Sequence, residues 1–132
     1  MSERAQAAIT RWCSEDNPGA NYSSAVRCGD LIFVAGQIGV AVFGDPVPFE
    51  EQLRRAIANL LRAVGELGGD RTTLLKVNGY LADLDDFDRY NAVYAEMLGD
   101  APRPARTTVA VGRFAAPILV ELDATAAALP GR

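Results

Sequence analysis

A chain of 132 residues with 49% hydrophobic content is long enough for one domain, residues 1–132, with a substantial core. Its net charge is −4, and no basic run exceeds Arg54-Arg55, so nucleic acid is not an expected partner: a phosphate backbone calls for concentrated positive surface. The absence of histidine removes the Ser-His-Asp and Cys-His arrangements, the usual imidazole base and most zinc sites, so no metal site is expected.

The N-terminus, Met1 to Gln6, lacks the basic-then-apolar pattern of a secretory signal, and no apolar run is long enough to span a bilayer. A cytoplasmic protein is expected, with Cys13 and Cys28 as free thiols and Cys28 as a small buried hydrophobe. Residues to about 20 carry Trp12 and a polar run that ends an arm or strand. Two strands then flank a turn at Gly29-Asp30, the second running through Leu31 to Ala35. Gly36 and Gly39 bracket Gln37 at its end, which suggests close approach of the backbone to another strand or a ligand.

Leu53, Ile57, Leu60, Leu61, Val64 and Leu67 recur at helical spacing, and Gly68-Gly69 stops that helix. Leu74 to Ala82 alternates as a strand. Asp83 to Asp86 opens a second helix, whose apolar stripe is Phe87, Tyr90, Tyr94, Met97 and Leu98; Asn91 lies beside the stripe.

Arg103 to Val111 and Ile118 to Ala124 read as an antiparallel hairpin turning at Phe114 to Pro117. If that turn is symmetric, Val109 and Val111 share the core face with Ile118, Val120 and Leu122, while Arg106, Thr108 and Glu121 share the other. An isolated strand arginine is more often a solvated charge, but Pro102 and Pro104 fix where Arg106 starts, and a planar fork so held suits a carboxylate. The expected fold is α+β, with two helices on one face of a mainly antiparallel sheet. The uncovered face is half apolar, which predicts an oligomer with sites between subunits.

Taken together, several segments resemble the RidA (YjgF/YER057c/UK114) family across nearly the whole chain. They are Tyr22, Leu31 to Ile38, Val77 to Phe87, Tyr90 to Tyr94, Pro104 to Val109 and Val120 to Ala124. The resemblance implies a chorismate-mutase-like fold, a six-stranded sheet and a homotrimer with sites in the clefts between subunits. It implies cofactor-independent hydrolysis of small enamine and imine carboxylates, such as 2-aminoacrylate and its imine tautomer, to 2-keto acids and ammonia. Arg106 matches the family's carboxylate-binding arginine; Tyr22, Gly36 and Asn91 match other site positions, and Glu121 matches the residue that orients the attacking water. Two positions depart from the pattern: Ala35 stands where deaminating members usually have serine, and Thr108 where they usually have cysteine. A different class of function for the same cleft is non-catalytic binding of a small carboxylate metabolite. Endoribonuclease, an activity attached to the family by older naming, is disfavoured by the acidic, histidine-free chain.

Overall fold

Alternating residues build the strands and a 3.6-residue apolar period builds the helices, in the order β1 (Ile9–Trp12), β2 (Ala25–Cys28), β3 (Leu31–Gln37), α1 (Phe49–Glu66), β4 (Leu74–Leu81), α2 (Phe87–Leu98), β5 (Ala105–Ala110) and β6 (Val120–Ala127). The computed structural model describes residues 8–132, so the signal-peptide reading of Met1 to Gln6 lies outside the described residues. Strands β2 and β3 form the expected hairpin, turning on Gly29 at φ 61°. Glu50 and Glu51 lie in the first turn of α1, where they offset the positive end of its dipole. Asp83 accepts a hydrogen bond from the Asp85 amide at 2.9 Å, capping the short 3-10 turn Leu84–Asp86 that leads into α2.

The six strands lie in the order β1-β2-β3-β6-β4-β5. All neighbours are antiparallel except β4 and β5, which α2 joins as a parallel crossover. Both helices cover one face. Ile32, Val34, Val77, Leu81, Val120 and Leu122 pack there against Leu53, Ile57, Leu60 and Val64 of α1 and against Tyr90, Val93 and Leu98 of α2, all under 6% exposed. Each large apolar side chain so buried contributes about 1.5–3 kcal/mol.

The expected terminal hairpin does not form. Strand β6 instead enters the middle of the sheet between β3 and β4, and β5 forms the far edge. The connecting segment crosses the end of the sheet because α1 holds it. The buried Gln52 amide donates to Val47 O at 2.9 Å and to Pro117 O at 3.0 Å, and its carbonyl accepts from the Leu119 amide at 2.9 Å. The face assignment changes with it. Arg106 lies level with buried Val77, and Thr108 with Gly79, so both point toward the helices, whereas Val109 lies level with Tyr80 on the open face. Glu121, opposite Tyr80, is also on the open face, so Arg106 and Glu121 do not share a face. Cys28 is half-buried on the open face rather than in the core.

Candidate active site

The anticipated site residues fall into two groups. The first lines a cleft of about 820 Å³ that contains Tyr22, Gly36 and Glu121. A β-bulge between Val34 and Gln37 turns the end of β3, and a Cβ built on Gly36 would sit 2.8 Å from the Glu121 carboxyl carbon, so any larger residue there would displace the Glu121 carboxylate from its present position. Ala35, the other bulge residue, donates its amide to Ser24 O at 2.9 Å and accepts from the Gln37 side-chain amide at 3.0 Å; its methyl group leaves this stretch of β3 without a hydroxyl. Burial, and secondarily the charge of Asp123, raises the pKa of Glu121 above its ordinary value. Asp123 accepts hydrogen bonds from the Asn78 amide and the Tyr80 hydroxyl, each at 2.7 Å, which fixes a second carboxylate on the face that Glu121 occupies. The cleft continues to Trp12, over which Arg62 stacks at 5.6 Å while pairing with Glu15 at 2.7 Å.

The second group lies on the helix-covered face at the β5 edge. The Arg106 guanidinium carbon is 4.8 Å from the ring centre of Tyr94, 5.2 Å from that of Tyr90 and 5.8 Å from that of Phe87. Among the described residues no carboxylate lies within ion-pair distance of Arg106. Asn91 is half-buried on α2, four residues after Phe87 and three before Tyr94. The Thr108 hydroxyl is buried beside that of Tyr90.

Within one chain these groups are far apart. Arg106 is level with Val77 and Glu121 with Tyr80, three residues or about 10 Å along the strands; two inter-strand steps add about 10 Å across, and the faces are opposite. Sequence reasoning missed Trp12, Arg62, Tyr80 and Asp123. It took Phe87, Tyr90 and Tyr94 as core only, although their i, i+3, i+7 spacing marked them as one face of α2. Among the described residues no cluster of three or more His, Cys, Asp or Glu is placed to hold a metal, and no helix is long and apolar enough to cross a membrane.

Two helices on a mostly antiparallel six-stranded sheet define the class: an α+β protein of the chorismate-mutase-like fold. The model of the family described as Endoribonuclease L-PSP matches residues 14–128. The chain is 40% identical over 115 residues to a RutC family protein of Pyrococcus abyssi, covering 83% of this chain and 87% of that one. It is 30% identical over 109 residues to the 2-iminobutanoate/2-iminopropanoate deaminase of Dermatophagoides farinae, covering 80% and 84%. A solved Mycobacterium tuberculosis member of the YjgF/YER057c/UK114 family superposes with a TM-score of 0.78 at 29% identity, covering 91% and 99%. The chain belongs to this family, the RidA or YjgF/YER057c/UK114 proteins.

Proposed function

We propose that this protein hydrolyses small enamine or imine carboxylates of the 2-aminoacrylate/2-iminopropanoate type to 2-keto acids and ammonia, without a cofactor. The observation that carries the reading is Arg106, a half-buried guanidinium with no carboxylate partner among the described residues, whose donors are free for a substrate carboxylate. The deaminase of Dermatophagoides farinae supports the same chemistry in a relative.

An enamine first takes a proton at its terminal carbon and becomes the imine. Water then adds to the imine carbon: Glu121 takes one water proton, the C–O bond forms, and the nitrogen receives a proton. The resulting carbinolamine passes its hydroxyl proton to the nitrogen as the C=O bond forms and the C–N bond breaks, releasing ammonia. An imine is already electrophilic, so orientation, a placed water and a proton route suffice. The raised pKa of Glu121 makes it a stronger base than an ordinary glutamate, which suits it to that route. Tyr22 and Asn91 complete the pocket.

Because Arg106 and Glu121 lie apart in one chain, the reading requires a homotrimer in which Arg106 and Asn91 of one subunit meet Tyr22, Gly36 and Glu121 of the next. The open sheet face supports association: Leu31, Phe33 and Val109 are 44%, 46% and 43% exposed there. Ribonuclease activity is not part of the proposal, since a chain of net charge −4 without histidine lacks both the positive surface and the imidazole it would use.

Ala35, which supplies no hydroxyl, favours a second reading: a trimer that binds a small carboxylate metabolite in the same cleft without turnover. One assay separates them. A dehydratase generates 2-aminoacrylate from serine, and its absorbance is followed with and without the protein. Accelerated decay, lost in Arg106→Ala and in Glu121→Ala, supports the deaminase. Carboxylate binding that needs Arg106 but no acceleration of decay supports the binder, and unchanged affinity in Arg106→Ala overturns both.

A further inference from the structure

Among the described residues several arginines are tied down by acids: Arg54 by Glu96 at 2.9 Å, Arg55 by Glu51 at 3.1 Å, Arg62 by Glu15 at 2.7 Å. Arg106 is held differently. Phe87, Tyr90 and Tyr94 follow one another along one face of α2, and their rings form a near-parallel ladder. Centroids are 6.4 Å apart for Phe87 and Tyr90, and 5.8 Å for Tyr90 and Tyr94, with interplanar angles of 25° and 21°. The guanidinium lies within 6 Å of all three ring centres, the range in which a ring quadrupole attracts a cation.

We propose that Phe87, Tyr90 and Tyr94 are positioning residues that act through Arg106, a π bed that orients the guanidinium while leaving its N–H donors unspent. The inference rests on the reading of Arg106 as the carboxylate-binding residue. An ion pair would also hold the guanidinium still, but it would neutralise the charge and occupy donors that a substrate needs. A ring face consumes no N–H and offsets part of the cost of half-burying the charge.

The surroundings of the ladder fit this role. Gly79 on β4, level with Thr108, leaves room for the Tyr90 phenol; a Cβ at position 79 would overlap its hydroxyl. Among the described residues the buried Tyr94 hydroxyl has no hydrogen-bond partner, so packing and the cation, rather than a hydroxyl contact, hold that ring in place. Burial pushes the Tyr90 phenol up to about 12, so it is neutral at working pH and offers Arg106 a face rather than a phenolate.

The test uses the assembled protein and three substitutions. Tyr94→Phe keeps the face and removes the hydroxyl; Tyr94→Leu removes the face but keeps an apolar filler; Phe87→Leu repeats that change at a less buried rung. Three quantities are read: the Kd of pyruvate, a 2-keto acid product of the proposed reaction; KM against kcat for the imine; and the ring-current shift of the Arg106 guanidinium NMR signal without ligand. Thermal unfolding confirms that each variant is folded. Expected are Kd and KM raised about three- to tenfold in the two leucine variants, as loss of one cation–π contact implies, with kcat within about twofold. Tyr94→Phe keeps wild-type affinity and the shifted signal. A folded Tyr94→Leu and Phe87→Leu that bind pyruvate as wild type does, while Arg106→Ala does not, overturn the π bed and leave the carboxylate reading standing. A Tyr94→Phe as weak as Tyr94→Leu also overturns the bed, because the hydroxyl would then be the working group. If wild type and Arg106→Ala bind pyruvate equally, the carboxylate reading fails and the bed fails with it.

Discussion

The β5 edge and the β3–β6 cleft both carry an uncompensated charged group, yet they are built in opposite ways. At the edge a guanidinium lies under a helix against three aromatic rings, with no acid among the described residues to pair with it. In the cleft a carboxyl lies on the open face, and burial and a neighbouring Asp123 disfavour its ionisation. One surrounding keeps a cation free to bind an anion; the other keeps an acid ready to accept a proton. In the proposed reaction both groups are needed, and the sheet between them keeps them apart within one chain. The proposed trimer would bring the two together as half-sites across a subunit interface.

Losing the cationic half has the largest expected effect. Arg106→Ala removes a charge-assisted bidentate contact, and kcat/KM for the imine should fall at least about 100-fold, with the loss shared by Kd for pyruvate. Thermal stability should fall by about 1–2 kcal/mol, since Arg106 makes no ion pair among the described residues but packs on the three rings of α2. A variant with near-normal kcat/KM would remove this edge from the site.

Mixing variants tests the division between subunits. Arg106→Ala and Glu121→Ala are each expected to be inactive. Unfolded together at equal amounts and refolded, they should form, in the proposed trimer, some interfaces that bring an intact Arg106 against an intact Glu121. If each site takes one residue from each of two neighbours, about a quarter of the wild-type sites return, one half multiplied by one half. Recovery near that level, read by the aminoacrylate assay, supports shared sites. No recovery, with native mass spectrometry of differently tagged subunits confirming mixed trimers, would place both residues' action within one subunit or elsewhere.

What could be read from the sequence follows from which forces are local. The helices and most strands were legible because a 3.6- or 2-residue period is carried by neighbours: the α1 stripe from Leu53 to Leu67 packs as read, and the backbone at Gly36 passes close to another group, the Glu121 side chain. The placement of β5 and β6 was not legible. Whether two adjacent strands pair depends on what captures the link between them, and here Gln52, a polar residue on the buried side of α1, binds Pro117 and Leu119 and carries the chain across the sheet end. The face of β5 was misread for a related reason. Val109 suggested the core side, but the aromatic ladder of α2 receives a cation as readily as an aliphatic, so Arg106 faces the helices and Val109 the open side. The family resemblance supplied Arg106 and Glu121 individually, whereas their separation by a sheet is a fact of topology.

A subtler change separates charge from contact in the cleft. If Glu121 acts as the base, activity rises with pH as its carboxyl loses a proton, and a raised pKa places that rise above the range of an ordinary glutamate. Asp123→Asn removes one of the two causes, so the acid limb of kcat/KM should move to lower pH. Burial, the larger cause, remains, so the limb should not return fully to the ordinary value. Tyr80→Phe breaks a hydrogen bond to the same aspartate but keeps its charge, and should leave the limb near the wild-type position. Equal shifts in both variants would mean that geometry rather than charge sets the pKa.

The smallest expected effect lies at Ala35. Restoring a hydroxyl with Ala35→Ser adds one hydrogen-bonding group at the bulge that carries Gly36 past Glu121. One such bond to a bound substrate contributes about 1 kcal/mol, a change of roughly fivefold in KM for 2-aminoacrylate. The added oxygen has local competitors, however: the Ala35 amide and carbonyl are already engaged by Ser24 and Gln37, so the serine hydroxyl is free for substrate only if those backbone bonds keep their present partners. A fall in KM with unchanged kcat would show that the cleft is shaped for this substrate and lacks one contact. No change, in a variant of unchanged stability, would mean that the cleft between Glu121 and Trp12 is shaped for a different imine, and larger 2-imino acids would then be the substrates to compare.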